Sequence, residues 1–411
     1  MLSTERGRWV QSLQNALSIA RLSMPHLAIA AEKNGGDLHG FRREKFVTEL
    51  ALLLYAAARA VKVSALDKLI MDLAQELSPH ARSELLLVSM RLRPAVATEM
   101  ATAHVCLTRL GLPDTNFQSE LENIFESSVA GMLERVPWKE VQANWLRNIG
   151  GPQSQFTFLD PASRSQLGIG LDTFTSRREE VYAFTHSLIY QTDFGRNQSL
   201  LPRPALAIIA DADAILPGCL DDDDFDLSAE VLLTWPYVCA RTWTPVAAFA
   251  LKVLTRVEDD VGILPALTLR FLDFSGSSND CKNAYVATEG YHTALVMGLL
   301  AAAILSTECG PPASVASESS VGAVQSLLRL IRVKTPRPQW ETDFGNLLPR
   351  EQGSLVPFLA AVGLRRALRS HDFELFRDIL NTSVDLGLLS FLPVRHALEL
   401  FVRLVRTRSK A

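Results

Sequence analysis

The chain has 411 residues, of which 48% are hydrophobic and 21% are charged, and its formal net charge is -4. This length and apolar content allow a large folded core in one or two domains and exclude a disordered chain, which would be poor in aliphatic residues. The slightly acidic balance argues against a nucleic-acid binder, because such proteins normally present a basic face.

The first 22 residues are predicted to form an amphipathic helix without the apolar stretch and cleavage site of a secretory signal. The longest apolar run, 294–305, is well short of the roughly 20 residues that span a bilayer. We therefore expect a buried helix there and no membrane segment. The five cysteines contain no CxxC pair, which argues against a disulfide scaffold or a structural zinc site and favours the bacterial cytoplasm.

Apolar residues recur at three- and four-residue spacing along most of the chain, which predicts helices. Before residue 150 these helices cover 1–22, 45–61, 65–77, 81–92, 95–110 and 119–133. After a loop at 150–155 they cover 164–192, 203–216, 228–252, 290–306, 320–333, 354–369, 372–388 and 392–407. Pro236 and Pro245 must kink or break the helix at 228–252. Only short stretches such as 267–274 could form strands, so a sizeable sheet is not expected.

The fold class predicted from this pattern is all-α, with a helical N-terminal domain at 1–150 and an α/α toroid-like domain at 151–411. Helix pairs in the chain recur at roughly 40 to 50 residues, which suits a solenoid or a closed toroid. Two polar intervals, 258–290 and 335–353, are predicted to be long loops of the kind that serve as lids or binding loops.

The stretch 180–195 is the first candidate site. On a helix, Tyr182, His186 and Asp193 share one face, and burying such groups is costly unless they are paired or used. They suggest acid–base chemistry with Tyr182 as a proton donor, or metal ligation. The alternative is a core histidine bonded to a backbone carbonyl, with Asp193 capping the next segment.

Two further stretches add candidates. In the acidic run 221–230, Asp226 or Ser228 is predicted to cap a helix, and Glu230 lies inside its first turn. His292 is predicted in the first turn of the most apolar helix, where a neutral imidazole is expected because the helix dipole disfavours a charged one. Local satisfaction of helix ends is the alternative for both stretches.

Together, Tyr182, His186, Asp193, Glu230 and His292 are predicted to converge on one cavity as catalytic residues. A divalent metal is one option, with His186, His292, Asp193 and Glu230 as its ligands, and metal-free acid–base work is the other. Replacing either histidine by alanine is expected to abolish turnover and leave the melting temperature nearly unchanged.

Known motifs were compared with the chain. Residues 222–226 match the DDxxD pattern with which class I terpene synthases bind magnesium diphosphate, but Ala287 occupies a carboxylate position of their second motif. Asp193-Phe194-Gly195 and 343–345 repeat the DFG of kinases without a glycine-rich phosphate loop, so a kinase is excluded.

The chain also resembles a bacterial all-helical family of unknown function that is associated with natural-product gene clusters. The resemblance covers residues 160–300. Its motifs are Tyr182-x-x-Thr185-His186, Tyr190-x-Thr192-Asp193-Phe194-Gly195, Leu227-x-x-Glu230 and Tyr291-His292-Thr293. It implies that these stretches form one site and that the substrate is a specialised metabolite, but it implies no particular reaction.

Three functions follow as hypotheses. The first is a tailoring enzyme that acts on a small metabolite in a helical cavity. The second is a non-catalytic scaffold or partner-binding protein, which should present an open concave surface and leave the site residues scattered. The third is a terpene-synthase-like enzyme that uses magnesium and diphosphate. The expected partner is a small-molecule substrate, without nucleic acid or membrane, and a homodimer is left open.

Overall fold

The computed structural model of the protein describes residues 3–27, 42–60, 64–127, 134–151, 160–198, 200–238, 243–267, 284–308, 310 and 321–408. Every regular element in these residues is helical, so the all-α prediction is confirmed. The strand considered at 267–274 lies, except for its first residue, outside the described residues.

The first half of the chain forms eight α-helices in the described residues, joined in one place by a 3₁₀ turn at Pro94–Val96. They are α1 (Ser3–Ser23), α2 (Arg43–Ala60), α3 (Ser64–Ala81), α4 (Glu84–Leu92), α5 (Ala97–Met100), α6 (Thr102–Arg109), α7 (Thr115–Phe125) and α8 (Pro137–Asn148). Helix α8 has no counterpart among the predicted helices, because its many polar residues obscure the apolar spacing of Trp138, Val141 and Trp145.

The second half continues with helices of 4 to 17 residues. They are α9 (Pro161–Arg164), α10 (Gln166–Ile169), α11 (Arg178–Gln191), α12 (Ala205–Asp221), α13 (Phe225–Leu232), α14 (Thr234–Tyr237), α15 (Pro245–Val261), α16 (Tyr291–Thr307), α17 (Val321–Leu330), α18 (Gln339–Gly345), α19 (Pro349–Ser354), α20 (Val356–Arg369), α21 (Phe373–Asp385) and α22 (Leu392–Arg408). A π-helical turn at Val286–Gly290 leads into α16.

Two predicted elements are wrong in detail. The single helix at 164–192 is instead α9, α10 and α11, because the backbone leaves the helix at Ser165 and again at Gly170, whose φ is 96°. The predicted loop at 335–353 contains α18 and most of α19. The break expected from Pro236 and Pro245 is confirmed: Pro236 lies in the short α14 and Pro245 occupies the first turn of α15.

Helix α16 lies at the centre of the packing. It contacts α1, α2 and α13, and most of its residues are buried, as expected for the apolar run at 294–305. With the preceding turn it forms the one described helix, Val286–Thr307, that is long and apolar enough to cross a membrane by length and composition. Of that apolar stretch, 78% is buried inside the protein, which identifies it as a core helix.

The main hydrophobic core is one cluster of packed side chains whose members range in the chain from Trp9 to Ala397. It therefore includes residues on both sides of residue 150. A smaller cluster lies under α4, α5 and α7 and includes Met90, Phe117 and Leu121. The division into two domains and the closed toroid stay predictions. What the packing does establish is that α1 and α2 are built against α16, which lies more than two hundred residues away in the chain.

We predict opposite effects for the same substitution at two helical glycines. A Cβ atom at Gly298 of α16 would lie 2.5 Å from Ala16 Cβ of α1, and 3.3 Å from a methyl group of Leu53 of α2. Gly298→Ala should therefore lower the free energy of unfolding by roughly 1–3 kcal/mol, since these helices must move apart. Gly7→Ala in α1 meets nothing within 4 Å and should raise it by about 0.5–1 kcal/mol. Urea unfolding curves of the two variants would show this, and equal shifts would contradict the close packing.

Candidate functional site

Helix α11 carries Tyr182 and His186 one turn apart on the same face. The helix begins where the Glu180 carboxylate accepts a hydrogen bond from the Arg177 backbone N–H at 2.7 Å. One turn before Tyr182, Arg178 extends from the same face and its guanidinium lies 4.6 Å from the Tyr182 ring centroid. The helix therefore aligns a cation, a phenol and an imidazole.

Helix α13 contributes the two carboxylates of Asp226 and Glu230, also one turn apart and both buried. The residue that caps this helix is Asp224, whose side chain accepts from the Leu227 N–H at 3.2 Å. The prediction that Asp226 or Ser228 is the cap is therefore wrong. Because Asp224 performs that role, Asp226 is left inside the first turn, where it faces α11 and α16.

His292 lies between two carboxylates. Its Nδ1 is 2.9 Å from Glu49 Oε2 of α2, and its Nε2 is 3.3 Å from Asp226 Oδ1. Burial lowers the pKa of His292, but the negative charges of Glu49 and Asp226 outweigh it and raise that pKa to about 10. The expected neutral imidazole is thus wrong. Because the π-helical turn continues into α16, His292 does not lie at a free helix N-terminus either.

Asp226 connects the cluster. Its Oδ2 accepts a hydrogen bond from the Tyr182 hydroxyl and lies 3.2 Å from Arg178 Nη2. Its Oδ1 is buried and, despite the ion-pair distance to His292, has no hydrogen bond of acceptable geometry from any described residue. Burial alone would raise the pKa of Asp226, but His292, Tyr182 and Arg178 together hold it below its usual range.

Glu230 and His186 lie behind Asp226. Glu230 Oε2 accepts from the Thr185 hydroxyl at 2.6 Å and is 3.6 Å from His186 Nδ1. Burial and the charge of Asp226 raise the pKa of Glu230 to about 8, so this side chain holds a proton at neutral pH.

The His186 imidazole is neutral, since burial lowers its pKa to about 4. Its Nδ1 lies 3.0 Å from the Tyr182 carbonyl oxygen, which can only accept, so Nδ1 carries the hydrogen. That fixes Nε2 as an acceptor. The ring also packs against Trp138 of α8, with ring centroids 5.2 Å apart.

Asp193 has a different set of partners from the other four predicted residues. Its Oδ1 accepts from the Tyr55 hydroxyl and from Trp145 Nε1, each at 2.8 Å, and its Oδ2 lies 3.1 Å from Arg196 and 3.5 Å from Arg59. These bonds hold a turn after α11 in which Asp193 and Phe194 both have positive φ. Such backbone is costly for residues other than glycine, and the surrounding contacts compensate for it.

The proposed metal ligands are not arranged around a common point. Within the described ranges, no three His, Cys, Asp or Glu side chains are placed to hold a metal ion. Both ring nitrogens of His292 face carboxylates, and His186 Nδ1 faces a backbone carbonyl. The chemistry of the donor set is therefore that of a hydrogen-bonded acid–imidazole cluster, in which protonated His292 has no lone pair for a metal.

In the acidic run before α13, Asp222 pairs with basic side chains of the protein. Asp222 contacts Arg365 at 2.7 Å, Arg369 at 2.8 Å and Lys334 at 3.0 Å, which lowers its pKa against the opposing effect of burial. Asp226 faces the other cluster. The carboxylates of the DDxxD pattern therefore point to different neighbours and join α12 to α20, instead of sharing one ion.

A cavity of about 490 Å³ opens beside the cluster. It is lined by Arg42, Lys45, Arg178, Tyr182, Asp226, Ala266, Leu267, Thr288, Glu289, Tyr291, His292 and Thr293. Of the predicted site residues, Tyr182 and His292 line the cavity. His186 and Glu230 lie behind the lining: His186 Nδ1 contacts the Tyr182 carbonyl oxygen, and Glu230 lies one turn after Asp226 on α13.

Three residues of the cluster, Glu49, Asp226 and Arg178, were not predicted as site residues, although each has a recognisable pattern in the sequence. Glu49 follows Phe46 by three residues and precedes Leu53 by four, so it is a carboxylate on the apolar face of α2. Asp226 precedes Glu230 by one turn, and Arg178 precedes Tyr182 by one turn. An ionisable group that shares a helix face with core residues or with another site residue was the common feature.

The fold and the cluster define an all-helical protein with buried acids and imidazoles beside a cavity. The chain belongs to the family described as Domain of unknown function (DUF6895), which matches residues 13–302. That match runs from α1 to α16 and contains every element that supplies the cluster. No curated protein and no solved structure matches the chain.

We predict that the free energy of unfolding falls between pH 8 and 10 because of His292. A histidine whose pKa is raised from 6.5 to about 10 stabilises the folded state fully below pH 6.5, and this contribution is lost as pH rises through 10. Glu230, with its pKa raised to about 8, adds a fall that is complete near pH 8. Urea unfolding at a series of pH values measures both slopes.

His292→Gln should lose the slope above pH 8 and cost roughly 2–4 kcal/mol at pH 7, since the cation that lies between the carboxylates of Glu49 and Asp226 is removed. The expectation that His292→Ala leaves the melting temperature unchanged is therefore revised. Glu230→Gln is the matched control, because it should keep the slope above pH 8 and lose part of the one below. A wild-type stability that is flat from pH 8 to 10 would contradict the bridging role of His292.

Proposed function

We propose that the protein is an enzyme that modifies a small specialised metabolite in the cavity beside Asp226, by acid–base chemistry that uses the protein's own side chains. One observation carries the proposal: Asp226 lines the cavity, is ionised and only 4% exposed, and its Oδ1, although 3.3 Å from His292 Nε2, has no hydrogen bond of acceptable geometry among the described residues. A buried acceptor of this kind is costly unless something else pairs with it. A substrate O–H or N–H group supplies that partner.

Two carboxylates with separated proton affinities support acid–base work. Asp226 and Glu230 lie one turn apart on α13, and the first is ionised while the second holds a proton at neutral pH. Pairs of acids whose pKa values are pushed apart in this way serve as the basic and the acidic partner in many enzymes. In this proposal Asp226 contacts the substrate, and Glu230 is the proton reserve behind it.

The remaining residues act as positioning residues. Tyr182 and Arg178 hold Oδ2 of Asp226, and His292, itself held by Glu49, keeps a positive charge beside Oδ1. His186 contacts Glu230, and its Nε2, which carries no hydrogen, can accept a hydrogen bond. The carboxylate is therefore pre-oriented before a substrate binds, which is a general requirement of efficient catalysis.

The alternatives receive less support. A scaffold would leave the predicted residues scattered, whereas Tyr182 and His292 both contact Asp226, and His186 contacts both the Tyr182 carbonyl oxygen and Glu230. A magnesium-diphosphate enzyme would need its aspartates free to share ions, whereas Asp222 is paired with Arg365 and Lys334. The setting that goes with the proposal is the bacterial cytoplasm and a natural-product gene cluster, with a homodimer left open.

Untargeted mass spectrometry of a metabolite extract from the cells that make the protein tests this function. We expect at least one small metabolite to be converted by the wild type and not by Asp226→Asn, which keeps the side-chain shape and removes the charge. Turnover should fall by at least about a thousandfold if Asp226 contacts the reacting group. Circular dichroism would verify that both proteins keep the same helicity.

The matched control is Asp378→Asn, which makes the same chemical change at a half-exposed residue that pairs only with its neighbour Arg377 in the described structure. This variant should behave as the wild type. Conversion by Asp226→Asn at the wild-type rate, or no conversion by any of the three proteins, would overturn the proposal.

A further inference from the structure

Two basic residues at the cavity, Arg42 and Lys45, have no contact with Asp226 among the described residues. Arg42 lies immediately before α2, and Lys45 lies in its first turn. Both line the cavity and both are exposed. Because they are three residues apart at the start of a helix, their side chains lie on the same side of it. The proposed chemistry at Asp226 gives them no task.

The charges in the cavity are unevenly compensated. Arg178 is neutralised by a two-pronged contact with Asp224, and His292 lies between Glu49 and Asp226. Among the described residues, the only ion pair of Lys45 is with Glu49, at 3.5 Å, and it shares that carboxylate with His292.

Arg42 has no ion pair with any residue in the part of the chain that the structure describes. The four cationic side chains that line the cavity thus have four carboxylates beside them, Asp224, Glu49, Asp226 and Glu289, and the least compensated positive charges are those of Arg42 and Lys45. The first turn of α2 adds its backbone N–H groups and the positive end of its dipole to the same region. The positive potential around Arg42 and Lys45 favours an anion.

Lys45 and Asp226 belong to one continuous set of contacts. Lys45 Nζ lies 3.5 Å from Glu49 Oε1, Glu49 Oε2 lies 2.9 Å from His292, and His292 lies 3.3 Å from Asp226 Oδ1. Arg42, Lys45 and Asp226 also line the same cavity, so one small molecule in it can contact all three. The cavity volume of about 490 Å³ is within the range of known small-molecule sites.

We propose that the cavity binds an acidic small molecule, whose carboxylate or phosphate group pairs with Arg42 and Lys45 while a hydroxyl or amino group of the same molecule donates to Asp226. This inference rests on the proposed function and specifies its class of substrate. Arg42 and Lys45 are binding residues in it, and they take no part in proton transfer.

Isothermal titration of the full chain with four probes tests the inference. Glycerol 3-phosphate and glycerol differ by the anionic group, and L-malate and succinate differ by the hydroxyl group. We expect glycerol 3-phosphate or L-malate to bind, glycerol not to bind, and succinate to bind more weakly than L-malate. Comparison of the two anions that carry a hydroxyl group distinguishes a phosphate ligand from a carboxylate ligand.

The double variant Arg42→Gln with Lys45→Gln should lose at least about tenfold in affinity for whichever anion binds, since two charge-assisted contacts are removed. The control is Lys68→Gln with Arg350→Gln, which changes the net charge equally at two exposed residues outside the cavity lining. That control should bind as the wild type does. Asp226→Asn should reduce the preference for L-malate over succinate.

Three results would overturn the inference: neither hydroxyl-bearing anion binds the wild type, the double variant binds as tightly as the control, or glycerol binds as well as its phosphate. These outcomes are separable from the test of the function. If a metabolite is converted by the wild type and no anion binds, the substrate class is wrong and the enzyme stands. If anions bind at Arg42 and Lys45 and no metabolite is converted, the cavity is a binding site without the proposed chemistry.

Discussion

The charge of Asp226 imposes the main constraint on this protein. A carboxylate buried in a helical core must be paired, because an uncompensated charge there costs several kcal/mol. Its partners come from α11 and α16, and His292 of α16 is in turn held by Glu49 of α2. Four helices must therefore meet at fixed positions. Breaking one ion pair would affect all of them, since each charge is the partner of another.

This network explains why the first 60 residues cannot be treated apart from the rest. Glu49 is needed to keep His292 charged. In addition, α1 and α2 can approach α16 closely only because Gly298 has no side chain. The family match begins at residue 13 and ends at residue 302, so it includes both ends of this interaction. Packing and electrostatics thus depend on the same pair of distant segments.

The acidic and DFG-like motifs show how partners decide the use of a residue type. Asp193, Asp222 and Asp226 belong to stretches that look equally functional in the sequence. Asp193 fixes a left-handed turn through Tyr55 and Trp145, and Asp222 joins α12 to α20 through arginines. Asp226 alone of the three lines the cavity. The residues that surround each aspartate in space therefore decide its role, and the motif in the sequence does not.

The sequence by itself determined the helical class and the buried central helix, because helical periodicity is local. It also singled out Tyr182, His186, Glu230 and His292, since a polar group on an apolar helix face is visible in that periodicity. It also determined the breaks at Pro236 and Pro245, since proline acts on its own backbone.

Only the tertiary structure decided that Asp226 and Glu49 are the partners of His292, that the imidazole is charged, and that Asp193 belongs to a separate structural turn. The His292–Glu49 contact joins residues 243 positions apart in the chain. Proton affinity depends on the charges that surround a group in space, and spacing along one helix contains no information about a side chain that arrives from another.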